Sequence, residues 1–411
     1  MLKDFRLWWH RPEMHDANLE RKVSWLELFY DLVYVVAIAE LSHSLALHPD
    51  AKGMLSFVFL FLPLWFAWTN GTYYHDLFET YDVSIRFFTL LQMLCVIGMA
   101  IFAHNALDKG SVGFALSYAL HHLLMTYLWW RAGHHDERFP GHTASYTLPY
   151  IIPYSFSVLL FIISVFVPTP LRFYLWGLAL TLDFIAPILA SLLMGQSYSF
   201  SQVTSAKMLE RFGLFTIIVL GESIVGVVRG IAAHHELSWF IFLAGILGVL
   251  ISFSLWWIYF DTTANRQVKA GIWYHNLWLY LHMFMYMTMT ASGAGILNVV
   301  EGAGHELSGN MRYLLGGAIG LSLISMGILQ LSFKAFKGIE LSEHRNDMLL
   351  KLSMGTLAIV LAYLLKAIGA LGMLSLLWLL ILVVVFYIFR VWLRIRREGL
   401  ISARPEAAHH N

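Results

Sequence analysis

Glu222 is the strongest candidate for a charged residue inside a predicted membrane-spanning helix. It follows Glu210 by 12 residues, which places it about 18 Å further along the helix and near the middle of a membrane. Its neighbours Gly221 and Ser223 are small and would let a second helix approach closely. A charge at that depth costs roughly 2.5–3.5 kcal/mol. Glu222 therefore predicts ion or proton handling, and the alternative is a protonated side chain that is hydrogen-bonded to a neighbouring helix.

The first predicted helix carries two pairs of titratable side chains. Glu27 and Asp31 are four residues apart and share one helix face. They predict a cation vestibule or a proton relay, or else an interhelical lock in which Asp31 bonds to a Trp, a Tyr or an Arg such as Arg86. Glu40 and His43 lie nearer the other end of the helix. They predict a pH-responsive pair or an interfacial hydrogen bond, because a carboxylate favours the protonated form of a nearby imidazole.

Further polar and aromatic side chains would support a path through the membrane. Asp183 lies within a helix, four residues before Pro187. It would either satisfy backbone groups that a proline kink frees or line a cavity. Asp261 ends a later helix at the predicted inner interface. The supporting set also contains Asn70, Trp65 and Trp256.

The histidines predict neither a cofactor nor a metal site. His121 and His122 lie within a span, and His282 follows His275 by seven residues, but the two halves of the chain do not repeat these positions as a haem stack would require. For the His-rich inner loop 134–142 we favour a solvated loop over a metal site. The sequence also has no P-loop, potassium-filter, protease or lipase motif.

The composition predicts the elements that hold these residues. Of 411 residues, 58% are hydrophobic and 13% are charged, whereas soluble domains are about 25% charged. A soluble enzyme and a nucleic-acid binder are therefore excluded, and the net charge of +1 gives nucleic acid no electrostatic attraction. Cys95 is the only cysteine, so no disulfide can form within the chain.

Apolar runs long enough to cross a membrane recur twelve times along the chain. They lie near 25–47, 54–74, 85–105, 112–131, 148–167, 171–194, 208–231, 238–261, 274–298, 311–333, 348–367 and 370–393. We therefore predict an all-α integral membrane protein with about twelve transmembrane helices. Of the 27 Lys and Arg residues, 21 fall on the side of the N-terminus and 6 on the other. This bias predicts a multi-pass inner-membrane protein with both termini in the cytoplasm.

The sequence is predicted to contain two parallel six-helix repeats, 25–205 and 206–395. They are flanked by a cytoplasmic N-terminal segment, 1–24, and a cytoplasmic C-terminal tail, 396–411. The segment PLWFAWTNGTYYHD aligns with SLWWIYFDTTANRQ, which pairs Trp65 with Trp256 and Asn70 with Asp261. Function in repeated membrane folds usually lies where the halves meet. We therefore expect the path to lie between helices 1 and 7, the first helix of each half.

Two motifs resemble those of the bacterial low temperature requirement A family. They are WLELFYDLVYVVAIAELSHSL, at 25–45, and RFGLFTIIVLGESIVGV, at 211–227. The hydropathy pattern fits that family along nearly the whole chain. The family takes its name from a growth phenotype in the cold, so the resemblance implies a membrane protein and leaves its reaction open.

A second resemblance is to the lysosomal potassium and proton channel family, whose animal members also have two six-helix halves. Phe29-Tyr30-Asp31 stands where that family has Phe-Ser-Asp on the first helix of a half. Tyr30 replaces the Ser, and the second half has no matching Asp. The resemblance implies a pore lined by helices 1 and 7 and narrowed by apolar residues such as Val35, Ile38 and Val219.

These observations predict a channel or a proton-coupled transporter for a small cation or solute. Membrane lipids are expected partners, and a homo-oligomer is left open. The alternative is a membrane enzyme or scaffold that acts on lipid or cell-envelope components during growth in the cold.

Overall fold

Twelve α-helices make up most of the part of the chain that the structure describes. This computed structural model describes residues 22–78, 82–135, 142–194, 204–236, 238–264, 266–302, 307–334 and 338–398. The helices are α1 Trp25–Leu47, α2 Ala51–Leu77, α3 Val83–Ala103, α4 Ser111–His135, α5 His142–Val165, α6 Leu171–Met194, α7 Ala206–Ala232, α8 Trp239–Thr262, α9 Ile272–Glu301, α10 Gly309–Leu329, α11 Leu341–Leu364 and α12 Ala370–Arg397. Each predicted apolar run coincides with one helix, so the all-α prediction is confirmed.

Eleven helices in the described ranges are long and apolar enough to cross a membrane. The exception is α4, whose sequence includes the polar residues His121, His122 and Arg131. The chain is therefore a multi-pass membrane protein. The N-terminal segment 1–24 and the tail 396–411 lie mostly outside the described residues.

Side-chain caps fix the start of several helices. Ser24 and Glu27 form a capping box at α1, in which the Ser24 side chain accepts from the Glu27 amide and the Glu27 carboxylate accepts from the Ser24 amide. Asp50, Asp82, Ser238 and Ser308 cap α2, α3, α8 and α10 in the same position. These caps satisfy amides that the first turn of a helix leaves without a partner.

The chain divides into two compact units. Unit 1 contains the described residues up to Glu222 together with Ala270–Asn276, and unit 2 contains Ser223–Lys269 and the described residues from Leu277 onward. Helices α7 and α9 therefore each contribute residues to both units.

Aromatic side chains fill the core of unit 1. Trp68 of α2 stacks on Phe215 of α7, with ring centroids 4.1 Å apart. Trp129 of α4 stacks on Tyr150 of α5 at 4.8 Å, and its indole N–H donates to the Asn70 side-chain oxygen at 2.7 Å. These rings set the spacing of the helices, and the buried polar groups lie among them.

Small residues bring the helices of unit 2 close together. A methyl group on Gly226 of α7 would lie 2.8 Å from the Gly293 carbonyl oxygen of α9. A methyl group on Gly320 of α10 would lie 2.5 Å from the Gly355 carbonyl oxygen of α11. Side chains larger than hydrogen would clash at both positions, so glycine sets the helix separation there.

Candidate functional site

Asp31 of α1 lies at the centre of an ionic cluster in unit 1. Its side chain is completely buried. The Arg211 guanidinium of α7 donates to it through Nη2, 2.8 Å from Oδ1, and through Nε, 3.1 Å from Oδ2. The Trp68 indole N–H of α2 donates to Oδ1 at 2.8 Å. Three helices therefore meet at this one carboxylate.

Glu27 extends the cluster one helical turn along α1. Its Oε1 lies 3.4 Å from Arg211 Nη1 and 3.1 Å from Lys207 Nζ. Lys207 and Arg211 are buried with the two carboxylates, so two cations balance two anions. The structure thus shows the interhelical lock between α1 and α7, and the guanidinium that closes it belongs to Arg211 rather than Arg86.

Two tyrosines connect this cluster to α4. The Tyr30 and Tyr34 hydroxyls lie 2.9 Å apart, and each is 3.3 Å from His121 Nε2. The Arg211 guanidinium carbon lies 5.5 Å from the centre of the Tyr30 ring, a cation–π contact. All three ring side chains are buried. Hydroxyl and imidazole groups both donate and accept hydrogen bonds, so each of these three side chains can fill either role in the contact.

Asp183 is the anchor of a second polar cluster, formed by α4, α5 and α6. Its Oδ2 accepts from the Tyr118 hydroxyl at 2.7 Å and from the Ser157 hydroxyl at 2.9 Å. His122 Nε2 lies 3.3 Å from Oδ1. Asp183 therefore joins three helices through side chains.

His121 and His122 place the two clusters side by side. Their ring centroids are 6.3 Å apart, and each ring has a buried Nδ1 with no hydrogen-bond partner among the described residues. We call the whole set the polar chain. Its members are Lys207, Glu27, Arg211, Asp31, Tyr30, Tyr34, His121, His122, Tyr118, Ser157 and Asp183.

Other buried polar atoms of unit 1 also lack a partner in the described part of the chain. They are both side-chain polar atoms of Gln92, the Thr89 hydroxyl and the Asn70 amide nitrogen. Buried polar groups in proteins nearly always bond to protein or to ordered water. Groups of this kind are candidates for hydrogen bonds to ordered water.

A cavity of about 440 Å³ lies at the other end of α1. Its lining includes Ser44, His48 and Asp50 from the α1 end and the following turn, and His104 and Asp108 from the loop after α3. Between this cavity, whose lining on α1 begins at Leu41, and the polar chain, the buried face of α1 is apolar over Ala37 and Ile38.

Comparison with known proteins now identifies the family. The sequence model of the bacterial low temperature requirement A protein, LtrA, matches residues 22–390. The chain belongs to the LtrA family. The match includes every residue of the polar chain, and it confirms the resemblance that the α1 and α7 motifs indicated.

An uncharacterized protein of Rhizobium meliloti (strain 1021) is 28% identical to this LtrA-family chain over 271 residues. That match covers 63% of the chain and 62% of the relative's length. Its name gives no activity that could be carried over.

Glu222 and Ser223, the predicted centre of the path, are both buried in α7 of this LtrA-family chain. The Ser223 hydroxyl has no hydrogen-bond partner among the described residues. A methyl group on Gly293 of α9 would lie 3.2 Å from the Ser223 Cα atom. The close approach predicted for this small residue is therefore present.

Glu40 and His43 lie outside the polar chain, half-buried on α1. The His43 Nδ1 atom is buried without a partner in the described ranges. His43 is next to Ser44, which lines the 440 Å³ cavity. Both residues therefore lie along α1 at the level where the lining of this cavity begins.

The supporting residues are dispersed. Asp261 is exposed at the end of α8 and accepts from the Trp257 indole N–H at 2.7 Å. Trp65 is buried beside Trp68, whereas Trp256 is exposed and stacks on a neighbouring ring of its own helix. Residues 136–141 of the His-rich loop lie outside the described residues.

Lys207 and Arg211 are members of the polar chain that the sequence interpretation missed. They are four residues apart on α7, as Glu27 and Asp31 are on α1. Each of two apolar segments carries two charged residues with the same helical spacing, acidic in α1 and basic in α7. This match is the signal that would have paired the two helices.

Proposed function

We propose that this LtrA-family chain is a channel or a proton-coupled transporter for a small cation or solute, with its path along α1 and the N-terminal part of α7. The observation that carries the proposal is the polar chain within apolar helices. A membrane protein that needed only stability could fill this space with apolar side chains, because buried ion pairs add little stability over hydrophobic packing. Ionisable groups inside membrane segments usually mark ion or proton pathways.

The chemistry of the polar chain fits proton movement best. Histidine and tyrosine side chains relay protons because each both gives and accepts them. Within the described part of the chain, the Nδ1 atoms of His121 and His122 and the side chain of Gln92 have no hydrogen-bond partner, and water there would complete a hydrogen-bonded route. The net neutrality of the Glu27, Asp31, Lys207 and Arg211 cluster keeps a fixed excess charge out of the membrane interior.

The cavity at the end of α1 would be the vestibule of this path. Its two histidines and two aspartates provide polar contacts for an entering cation or solute. Ala37 and Ile38 would form an apolar barrier between the vestibule and the polar chain, as apolar constrictions do in channels. The half-buried pair Glu40 and His43 lies where this barrier meets the vestibule, because Leu41 and Ser44 line the cavity.

Ion and proton flux in proteoliposomes tests the proposal. Purified full-length protein is placed in liposomes with imposed potassium and proton gradients, and internal pH and potassium are followed with dyes. We expect flux from the wild type. His121→Gln is expected to lose most of it, because the amide cannot accept and then release a proton as the imidazole does.

A matched variant on the same helix provides the control. His134→Gln on α4 makes the same change at an exposed position and is expected to keep wild-type flux. The flux of Glu222→Gln is measured beside that of these variants. A loss of flux in Glu222→Gln would mean that the path continues along α7 to this residue. Folded wild-type protein that moves neither ion would contradict a channel or transporter of these ions, and equal flux in His121→Gln and His134→Gln would remove the polar chain as the route.

A further inference from the structure

A second cavity, of about 170 Å³, lies in unit 2 at one end of its helices. It is bounded by the end of α8, the start of α11, the last turns of α12 and the segment that follows α10. Its lining residues are Asp261, Thr262, Arg266, Gln330, Ile339, Glu343, His344, Asp347, Tyr387, Ile388, Val391, Trp392 and Ile395. None of them belongs to the polar chain.

One wall of this cavity carries charges of both signs. Asp261, Glu343 and Asp347 are acidic, and Arg266 is basic. Behind the wall, Lys351 Nζ lies 2.8 Å from Asp347 Oδ2, and Arg394 pairs with Glu343. The wall therefore presents both acidic and basic groups, which can meet a ligand that carries one positive and one negative group.

Two buried acceptors in this wall lack a donor. Gln330 is 1% exposed and Asp347 is 8% exposed. The Gln330 amide nitrogen donates to Asp347 Oδ2, which leaves Gln330 Oε1 and Asp347 Oδ1 without a hydrogen-bond partner among the described residues. Buried acceptors of this kind are rare, and a ligand with N–H groups would supply the missing donors.

The opposite wall is apolar and belongs to α12. Ile388, Val391 and Ile395 line it beside Trp392, which is 40% exposed. The Arg396 guanidinium carbon lies 5.2 Å from the centre of the Trp392 ring. Tryptophan and basic residues at the ends of spanning helices are typical of the level of lipid headgroups.

We propose that this cavity binds the headgroup of a phospholipid that carries a primary ammonium group, of which phosphatidylethanolamine is the simplest. The ammonium N–H groups meet Asp347 and Gln330, the phosphate meets Arg266, and an acyl chain lies along Ile388, Val391 and Ile395. A cavity of about 170 Å³ is smaller than the 300–1,000 Å³ pockets of drug-sized ligands, so it takes the headgroup and only the start of the acyl chain that lies along these residues. The site is independent of the proposed transport path.

Lipid retention by the full-length protein tests this proposal. Delipidated protein in detergent is mixed with phosphatidylethanolamine, phosphatidylcholine or N-acetylated phosphatidylethanolamine, and bound lipid is measured by native mass spectrometry. The choline group has no N–H donor, and the acetylated amine has no charge. We expect phosphatidylethanolamine to bind at least about tenfold more tightly than either, the scale of one hydrogen bond to a charged group.

Two variants and one matched control locate the site. Val391→Trp fills the cavity and is expected to abolish the preference, whereas Val383→Trp makes the same change at an exposed position of α12 and is expected to keep it. Gln330→Leu removes one acceptor with little change of volume and is expected to reduce the preference for phosphatidylethanolamine several-fold. If Val391→Trp does not fold, Gln330→Leu serves as the test of the site.

Equal binding of the three lipids by wild-type protein would overturn the proposal, as would a preference that both Val391→Trp and Gln330→Leu keep. Soluble glycerophosphoethanolamine is a further probe. Binding as tight as that of the intact lipid would assign the site to a free headgroup compound and overturn the lipid assignment.

Discussion

Arg211 is the side chain through which α7 binds both Glu27 and Asp31 of α1. Arg211→Met would keep most of its volume but leave Asp31 and Glu27 with Lys207 as their only described cation. Breaking a buried ion pair from one side costs about 3–5 kcal/mol. We therefore expect Arg211→Met to lower stability by about that amount, measured by thermal unfolding in detergent against the exposed control Arg390→Met.

Removing both partners together is a sharper test at the same residues. Asp31→Leu combined with Arg211→Met takes away the carboxylate as well as the guanidinium, so fewer uncompensated charges stay buried. We expect the double variant to be more stable than Arg211→Met alone by more than about 1 kcal/mol. A double variant no more stable than the single one would mean that the ion pair is not the source of the cost.

At the scale of the helix, glycine contacts decide how closely neighbours pack. Gly320 of α10 lies against the α11 backbone, whereas a methyl group on Gly317, less than one turn away, meets no atom within 4 Å. Gly320→Ala is expected to lower stability by about 1–3 kcal/mol through overpacking. Gly317→Ala is expected to be neutral or to stabilise by up to about 1 kcal/mol, because alanine favours the helix.

The α7 helix offers the same comparison. Gly226→Ala would press on the α9 backbone, and Gly221→Ala would meet no atom within 4 Å. Thermal unfolding of the four alanine variants in detergent measures the effect. If Gly320→Ala and Gly226→Ala unfold at the same temperature as the wild type, the close approaches at these two glycines do not determine the helix spacing.

The helices themselves could be predicted from the sequence because a spanning segment is local. About 20 apolar residues in a row determine it, and each of the twelve runs became one helix. Even α4, with His121 and His122 inside it, keeps enough apolar residues around them to form a helix. The twelve-helix outline therefore follows from hydropathy alone.

For the candidate site, the sequence could predict which types of side chain would be partners but not which individual residues. The sequence indicated that Asp31 would bond to a Trp, a Tyr or an Arg, and Trp68 and Arg211 fill those roles. Which Arg bonds to Asp31 depends on how two helices pack whose paired residues are 180 positions apart in the sequence. The periodicity within either helix does not determine that packing. For the same reason His121 was recognised as lying within a span, but its contacts with Tyr30 and Tyr34 were not.

At the scale of the whole molecule, the charge bias makes a prediction about orientation. In a Cys95→Ser background, which has no other cysteine, single cysteines are placed at the exposed positions Lys52 and Lys334. A maleimide that cannot cross the membrane is expected to label Lys52→Cys in intact cells and Lys334→Cys only after the membrane is opened. Labelling of Lys334→Cys in intact cells would reverse the assignment of inside and outside.

The pairing of α1 with α7 also has a consequence for biosynthesis. Arg211 follows Asp31 by 180 residues, a delay of roughly 10–40 s at translation rates of about 5–20 residues per second. Throughout that interval α1 has left the ribosome with Glu27 and Asp31 but without Lys207 and Arg211. The ionic contacts of α1 therefore form only once α7 has been made, and until then its carboxylates must stay protonated or beside the insertion machinery.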